Sequence, residues 1–588
     1  MLEILTAALA AILAARAARK RDDSGRQIVL AIPPAPPEPI RPRHIDHPLF
    51  NRHRGAVSTT QYLAARYLAA DPGPLFSLAG VLWPARRFLN KLTLITGRPD
   101  SGKTVLMRLM MESVANLFPV LVEQAKAGLY PGEGKMRWLV IDPTNAFLPL
   151  LYQVVPSDIP IVRSTPVDAG SKRWAIREDI TSPALIEALL EGLFPESLFK
   201  KGSDPFWYTK GREITGAVVT VYLEKHCAWE FHDLVIPIKY PQFLKPLLMQ
   251  CPSTRGMAEH DLVGRLGRDI LVTASSILNK MAIAAALWQK ADATFSLKQF
   301  LDRREVLHFA YTPDLIPCFS GIANAMTRVL ILLGISRNET HNHTILWLDE
   351  GRYLADLAGF EDLAARGRGA GFGAIFAAQG RSGLDNKWGE GRVKELFDLV
   401  STWVALSSGP ETAEAFCRAV GKVEGVLKNY GTSLSWNTST SRTTSEGTTK
   451  SWSTQDLKTT KGGSSNKGTS ESISTSRGVS SSENFQLTVR DAILPSELTN
   501  LPYANPCLDQ ISGFAFNPEV GAFHFAAPFV DHFKNLPEAL VDSLPRRPDS
   551  DQRLLPWTTD DITRLGLEAT PELIAAIEKT WNGIGGAP

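Results

Sequence analysis

The sequence predicts an α/β fold: a mostly parallel sheet, an all-helical insertion within it, and a short apolar segment ahead of it. Three observations predict this. From about residue 90, short runs of buried-strand character alternate with helical patterns, as a parallel sheet with crossover helices requires. Between Ile180 and Trp288 the strand signal gives way to long helical patterns. One strand–turn–helix junction, within residues 91–111, carries the pattern Gly-x-x-x-x-Gly-Lys-Thr.

That junction is the centre of the chain. The apolar run Leu92 to Thr96 ends in Gly97, Arg98, Pro99, Asp100, Ser101, Gly102, Lys103 and Thr104. Gly97 and Gly102 allow a tight turn that brings backbone N–H groups onto phosphate oxygens, and the helix that follows adds the positive end of its dipole. Lys103 neutralises phosphate charge and the Thr104 hydroxyl is a ligand for Mg²⁺. The loop predicts a nucleotide site.

Composition sets the scale. At 588 residues the chain predicts two or three units, and 44% apolar residues support a large core. A formal charge of +2 neither requires nor excludes a nucleic-acid partner, because a groove can be locally basic on a neutral chain. The five cysteines, Cys227, Cys251, Cys318, Cys417 and Cys507, are scattered without pairing, which reads as reduced thiols rather than a metal site or disulfide framework.

In chain order, residues 1–21 read as a short apolar helix ending in Arg16 to Arg21. Its apolar part is shorter than the roughly 20 residues of a spanning helix, so a short anchor, a surface-lying helix and an exposed Ala-rich helix all remain open. Residues 22–58 form a proline-rich linker. Residues 59–179 hold the first part of the nucleotide domain, with strands at Arg137 to Asp142 and Ile159 to Asp168. Residues 180–295 are the helical insertion, and residues 296–431 return to the sheet with strands at Val306 to Tyr311, Thr344 to Leu348 and Gly373 to Ala378. Residues 432–484 are Ser/Thr-rich and poor in apolar surface, which predicts a mobile segment or a solvated hairpin extension; its excess of Lys and Arg over acids allows weak phosphate contact, and a plain solvated linker is the reading preferred to that. Residues 485–530 end the core and residues 531–588 form a helical tail.

The second half of the site is Ile345 to Glu350, a buried strand ending in two carboxylates. Asp349 is placed to hold Mg²⁺ and Glu350 to polarise the attacking water. Gln379, ending the next strand, is placed to sense the γ-phosphate. Arg366 and Arg368 precede that strand, where an arginine reaches a neighbouring subunit's nucleotide.

The chain resembles the TraD/TraG family of type IV secretion coupling proteins, within the wider group of ring-shaped DNA translocases that includes FtsK and HerA. The residues that carry the likeness run in order: GRPDSGKT, VIDP, DPFW (Asp204 to Trp207), LDEGRYLADL, RGAGFGAIFAAQ with Arg368 eleven residues before Gln379, Glu411 to Ala413, and Ile493 to Pro502. Thr144-Asn145 stand where the family usually has Lys-Gly, and Gly380 where it usually has Ser. The resemblance implies a RecA-like P-loop NTPase that uses ATP and Mg²⁺ and works as a homo-hexamer. It implies delivery of relaxosome-bound DNA, expected single-stranded, or of a protein substrate, to a type IV secretion channel at the cytoplasmic face of the bacterial inner membrane. Carried onto this sequence, Lys103, Glu350, Gln379 and Arg368 are the catalytic candidates, Arg368 as a finger acting in trans, and Thr104 and Asp349 are the metal candidates. The alternatives are a HerA- or FtsK-like translocase in the cytoplasm not tied to secretion, and a docking adaptor that uses nucleotide only to hold its ring together.

Overall fold

The computed structural model describes residues 50–52, 75–78, 81–84 and 88–584, apart from 129, 131, 196–204, 338, 340, 352–358, 454–459, 505–509, 519–520 and 529–544. The expected N-terminal apolar helix, most of the proline-rich linker and the helical pattern from Thr59 lie outside these residues.

The strands, in chain order, are β1 (Phe50–Arg52), β2 (Leu75–Leu78), β3 (Val81–Pro84), β4 (Leu92–Thr96), β5 (Met136–Asp142), β6 (Ile161–Ser164), β7 (Arg173–Trp174), β8 (Thr294–Phe295), β9 (Val306–Ala310), β10 (His343–Leu348), β11 (Phe372–Ala378), β12 (Thr402–Ala405), β13 (Lys422–Ser453), β14 (Thr460–Asp491), β15 (Gln510–Asn517) and β16 (Gly521–Pro528). Among the described residues the main sheet has the order β16-β15-β12-β4-β11-β10-β5-β9-β6. From β12 to β6 every pairing is parallel, and the β15–β16 hairpin adds antiparallel strands at the β12 edge.

Parallel strands are covered on both faces, so they read as continuous apolar runs rather than alternating ones. β4, β5, β10, β11 and β12 are buried at every position. Their side chains still divide by period two. Leu94, Leu139, Leu346, Phe376 and Trp403 join one core with the helix Ile316–Arg337 and the insertion. Ile95, Val140, Trp347, Ile375 and Val404 join the other, packed on Leu106, Met107, Met110 and Val114 of the helix Lys103–Ala115. Within that second core Trp138 and Trp347 meet edge to face with ring centroids 5.3 Å apart, and Phe118 lies tilted 5.1 Å from Trp138.

Three helical stretches, Lys103–Lys126, Gly267–Gln289 and Pro313–Arg337, are long and apolar enough to cross a membrane by length and composition. Their apolar windows are 50%, 56% and 72% buried within the fold.

The helical insertion leaves the sheet at β7 and returns at β8, and these two short strands pair in parallel at its base. Asp179 ties entry to exit. Its carboxylate accepts from Trp174 Nε1 at 2.6 Å, Ser296 Oγ at 2.8 Å, Leu297 N at 2.8 Å and Lys298 N at 2.9 Å. Burial holds its pKa above the ordinary carboxylate value despite these bonds.

The C-terminal helices, Thr559–Leu565 and Pro571–Gly583, do not form a free tail. Trp557, fully buried, stacks near Phe243 of the insertion at 5.1 Å and donates to Asp233 Oδ1 at 2.8 Å. Arg564 reaches the same buried carboxylate through both terminal nitrogens, at 2.8 and 3.0 Å. Burial alone would raise the Asp233 pKa, but His232, Arg564 and Trp557 bring it below the ordinary value.

The chain divides into two compact units, and residues 422–491 with 41–55 form the smaller. In it β13 and β14 pair antiparallel without a break from Lys422↔Asp491 to Ser453↔Thr460, and β1 lies along Gly425–Leu427. Phe50–Arg52, read from the sequence as linker, are thus a strand, and the Ser/Thr-rich run is a two-stranded ribbon longer than its low-complexity core.

Removing the Asp179 carboxylate leaves buried donors unmet. Asp179→Ala is expected to lower unfolding free energy by about 3 kcal/mol in urea titrations, with Asp179→Asn costing less because it keeps acceptor capacity. An unchanged midpoint in Asp179→Ala would remove its role as the latch of the insertion.

Candidate active site

Gly97 follows β4 and opens the phosphate loop. A Cβ there would collide with Ser101 Oγ and lie 3.0 Å from Leu406 Cβ, so the close turn needs glycine. Gly102 has φ +92°, a left-handed conformation that glycine adopts without strain, and it caps the helix that starts at Lys103. Asp100, at φ 59°, takes the same region as a non-glycine residue. The loop is held from both sides of the sheet. Gly97 N donates to Ala378 O at 3.3 Å, Arg98 N to Ser407 O at 2.7 Å, and Ala504 N to Asp100 O at 3.1 Å. Pro99 and Ser101 complete the turn, with Ser101 N donating to Arg98 O at 3.2 Å.

Lys103 is buried, and its ammonium donates to the loop's own carbonyls, Gly97 O at 2.8 Å and Arg98 O at 2.9 Å. It therefore sits inside the curl where phosphate oxygens would compete for it. Thr104 Oγ1 donates to Asp349 Oδ2 at 3.3 Å, across 245 residues of sequence. Parallel pairing of β10 with β11 and of β11 with β4 brings the ends of these strands together.

Three acids converge at this edge. Burial, with the neighbouring carboxylates of Asp142 and Glu350, raises the Asp349 pKa to about 6, against hydrogen bonds from Thr104 and the Glu350 amide. Asp142 ends β5 and is itself fully buried. Burial pushes its pKa up, but a hydrogen bond and charge from His308, at 3.2 Å, and amides from Phe147 and Ala146 hold it below the ordinary value. The Thr144 hydroxyl, at the position where the family has Lys, donates to Asp142 Oδ1 at 3.0 Å. Glu350 has φ 51°, strained for a non-glycine residue at a strand end. Gln379 Nε2 donates to Glu350 Oε1 at 3.0 Å.

The structure therefore gathers Gly97 to Thr104, Asp349, Glu350 and Gln379 at one edge of the sheet. Arg368 is not among them. It lies exposed in the 3₁₀ turn Gly367–Ala370 ahead of β11, whose seven residues separate it from Gln379 by about 20 Å. Sequence reasoning missed Asp142 and His308 as a pair, although the Asp-Pro ending of a buried strand was visible. It also missed Ser407, whose signal was only its place at the end of β12.

A divalent cation fits this set. Asp349 and Thr104 are already in contact, and the crowding that raises Asp349 is what a cation would relieve. Among the described residues no group of three or more His, Cys, Asp and Glu could hold a metal alone. Mg²⁺ takes one or two carboxylates and completes its shell with phosphate and water.

The raised Asp349 pKa fixes a sign. Between about pH 4 and 6 the folded protein keeps a proton that the unfolded chain has lost, so metal-free stability falls as pH rises through this window, by up to about 3 kcal/mol. Mg²⁺ needs the ionised form, so its affinity falls as pH drops below about 6. Denaturation curves in EDTA and Mg²⁺ titrations from pH 4 to 7.5 are expected to show opposite slopes, and both should flatten in Asp349→Asn.

Residues 76–518 match the family described as type IV secretion-system coupling protein DNA-binding domain. Among solved structures the chain is similar to the bacterial conjugative coupling protein TrwBdeltaN70 in its unbound monoclinic form, at 17% identity and TM-score 0.59, over 82% of this chain and 94% of that one. It is similar to plasmid coupling protein TrwB in complex with the non-hydrolysable GTP analogue GDPNP, at 17% identity and TM-score 0.59, over 82% and 96%. The complex of TrwB with ADP and Mg²⁺ aligns at 17% identity and TM-score 0.58, over 82% and 95%. At this identity the likeness is one of fold, a RecA-like α/β core. No relative matches among curated proteins. On the strength of the family match, which covers most of its length, the chain belongs to the type IV secretion-system coupling protein DNA-binding domain family.

Proposed function

We propose that the chain is an ATPase that drives DNA, or a protein attached to it, towards a type IV secretion channel. The observation that carries the reading is the convergence of Lys103, Thr104, Asp349, Glu350 and Gln379 at the end of β4, β10 and β11. Three segments far apart in sequence meet there with the chemistry phosphoryl transfer needs.

Lys103 exchanges the Gly97 and Arg98 carbonyls for the β- and γ-phosphates of ATP, and the loop amides cradle the same oxygens. Thr104 and Asp349 hold Mg²⁺, which when bound neutralises phosphate charge. Glu350 orients a water and takes its proton as the water oxygen bonds to the γ-phosphorus. The bond from that phosphorus to the bridging oxygen breaks, releasing ADP and phosphate. Gln379, bonded to Glu350, fixes that carboxylate and couples its position to β11. Arg368, at the far end of β11, serves the site of a neighbouring copy, which favours a ring with nucleotide between subunits. The ring is a homo-hexamer at the inner membrane, and the moving strand is single-stranded DNA.

Glu350→Gln is expected to cut steady-state turnover at least about 100-fold while nucleotide still binds, and Lys103→Ala to lose binding as well. Single-stranded DNA should stimulate the native protein, less so as salt rises. Normal turnover in Glu350→Gln removes it from the chemistry. Turnover indifferent to DNA, with nucleotide bound, favours the docking adaptor.

A further inference from the structure

The ribbon of β13 and β14 has two unlike faces. Successive pairs along an antiparallel ladder alternate between faces, so every second pair in the register shares one. Thirteen such pairs, from Asn429↔Asn484 through Ser441↔Ser472 to Ser453↔Thr460, hold only Ser, Thr, Gly and Asn. The alternate pairs hold every large or charged residue of the same stretch, among them Tyr430↔Glu483, Leu434↔Val479, Trp436↔Arg477, Arg442↔Glu471, Glu446↔Lys467 and Trp452↔Lys461. Where side chains are described, Ser441 Oγ lies 2.8 Å from Ser472 Oγ on the first face, and Arg442 pairs with Glu471 at 3.5 Å on the second. A random Ser/Thr-rich linker has no reason to sort its residues by parity.

The edges are equally unusual. Among the described residues the sheet order is β1-β13-β14, so there β14 is an edge strand along its whole length and β13 is one beyond Leu427. Each edge runs for about 100 Å at about 3.4 Å per residue. Natural edge strands are short, bulged or interrupted by proline. Here the register is unbroken and residues 422–491 contain no proline. An isolated two-stranded ribbon is marginal in water, so this one is built to receive further strands.

We propose that the ribbons of several copies of this chain pair edge to edge, β14 of one with β13 of the next, and close into a barrel lined by the Ser/Thr/Gly/Asn face. A second copy is the occupant the ribbon fits. Its order of strands continues the antiparallel alternation, and a repeated head-to-tail contact closes a ring with no edge left over. The small face suits the concave side, and the bulky face suits the convex side. Arg442 pairs with Glu471 across the ribbon, and Glu446 stands opposite Lys467 in the same register. The inference is independent of the nucleotide chemistry above.

The test uses the full chain with a spin label on Thr444→Cys, on the bulky face. In a closed barrel the same residue of adjacent copies lies about 12 Å apart, from two strand spacings and the usual tilt, whatever the number of copies. Dipolar broadening is expected, and it should disappear when labelled chain is diluted tenfold with unlabelled chain. Independently, a thiol from Ser441→Cys, on the small face, is expected to react at least about 10-fold more slowly with a 5 kDa maleimide polymer than one from Thr444→Cys, above the background of the unsubstituted chain. A monomeric chain, absent broadening, or equal reactivity at the two sites overturns the proposal. So does a label that is unaffected by dilution and becomes immobile only when DNA is added, which would make the ribbon a DNA clamp.

Discussion

Everything at the nucleotide site depends on three carboxylates forced into one corner. Parallel strands of similar length end at the same edge of a sheet, and β5 and β10 both end in acids there. Their mutual repulsion is resolved unequally. A hydrogen bond and charge from His308, with backbone amides, hold the Asp142 pKa below the ordinary value. Asp349 has no such partner strong enough and is left with a raised pKa beside the Thr104 hydroxyl. One carboxyl is held below the ordinary pKa and the other above it because their environments differ, although their positions on neighbouring strands are alike.

The same edge sets the geometry of coupling. Gln379 continues β11, and its amide holds Glu350 at the end of β10. A change in what Glu350 faces is therefore felt first by a strand hydrogen-bonded to β4 and hence to the phosphate loop itself. The loop is further tied to β12 through Ser407 and to the segment before β15 through Ala504.

Much of this was legible in the sequence, for a physical reason. Strands buried on both faces must be apolar throughout, so β4, β5, β10 and β11 announced themselves within a residue or two, and the glycines of the loop marked the only backbone that can turn there. What was not legible depends on distant pairs. Asp179 reaches Ser296 and Leu297 across more than a hundred residues, and nothing in its local sequence separates it from an exposed helix-end acid. The docking of Trp557 and Arg564 on Asp233 is equally silent. For the Ser/Thr-rich run, composition left a mobile segment and a solvated hairpin both open, while its parity pattern, which composition discards, matches a two-faced strand pair.

The burial of Asp233 has a consequence for the order of events on the ribosome. Its partners lie 324 and 331 residues later in the chain. At about 5–20 residues per second, Asp233 waits roughly 15–65 s for Trp557 and Arg564 to be made. Until then Asp233 has only its local partners, the Glu230 amide and His232. The helical insertion thus reaches its final surface only after the segment from Trp557 to Arg564 has been translated.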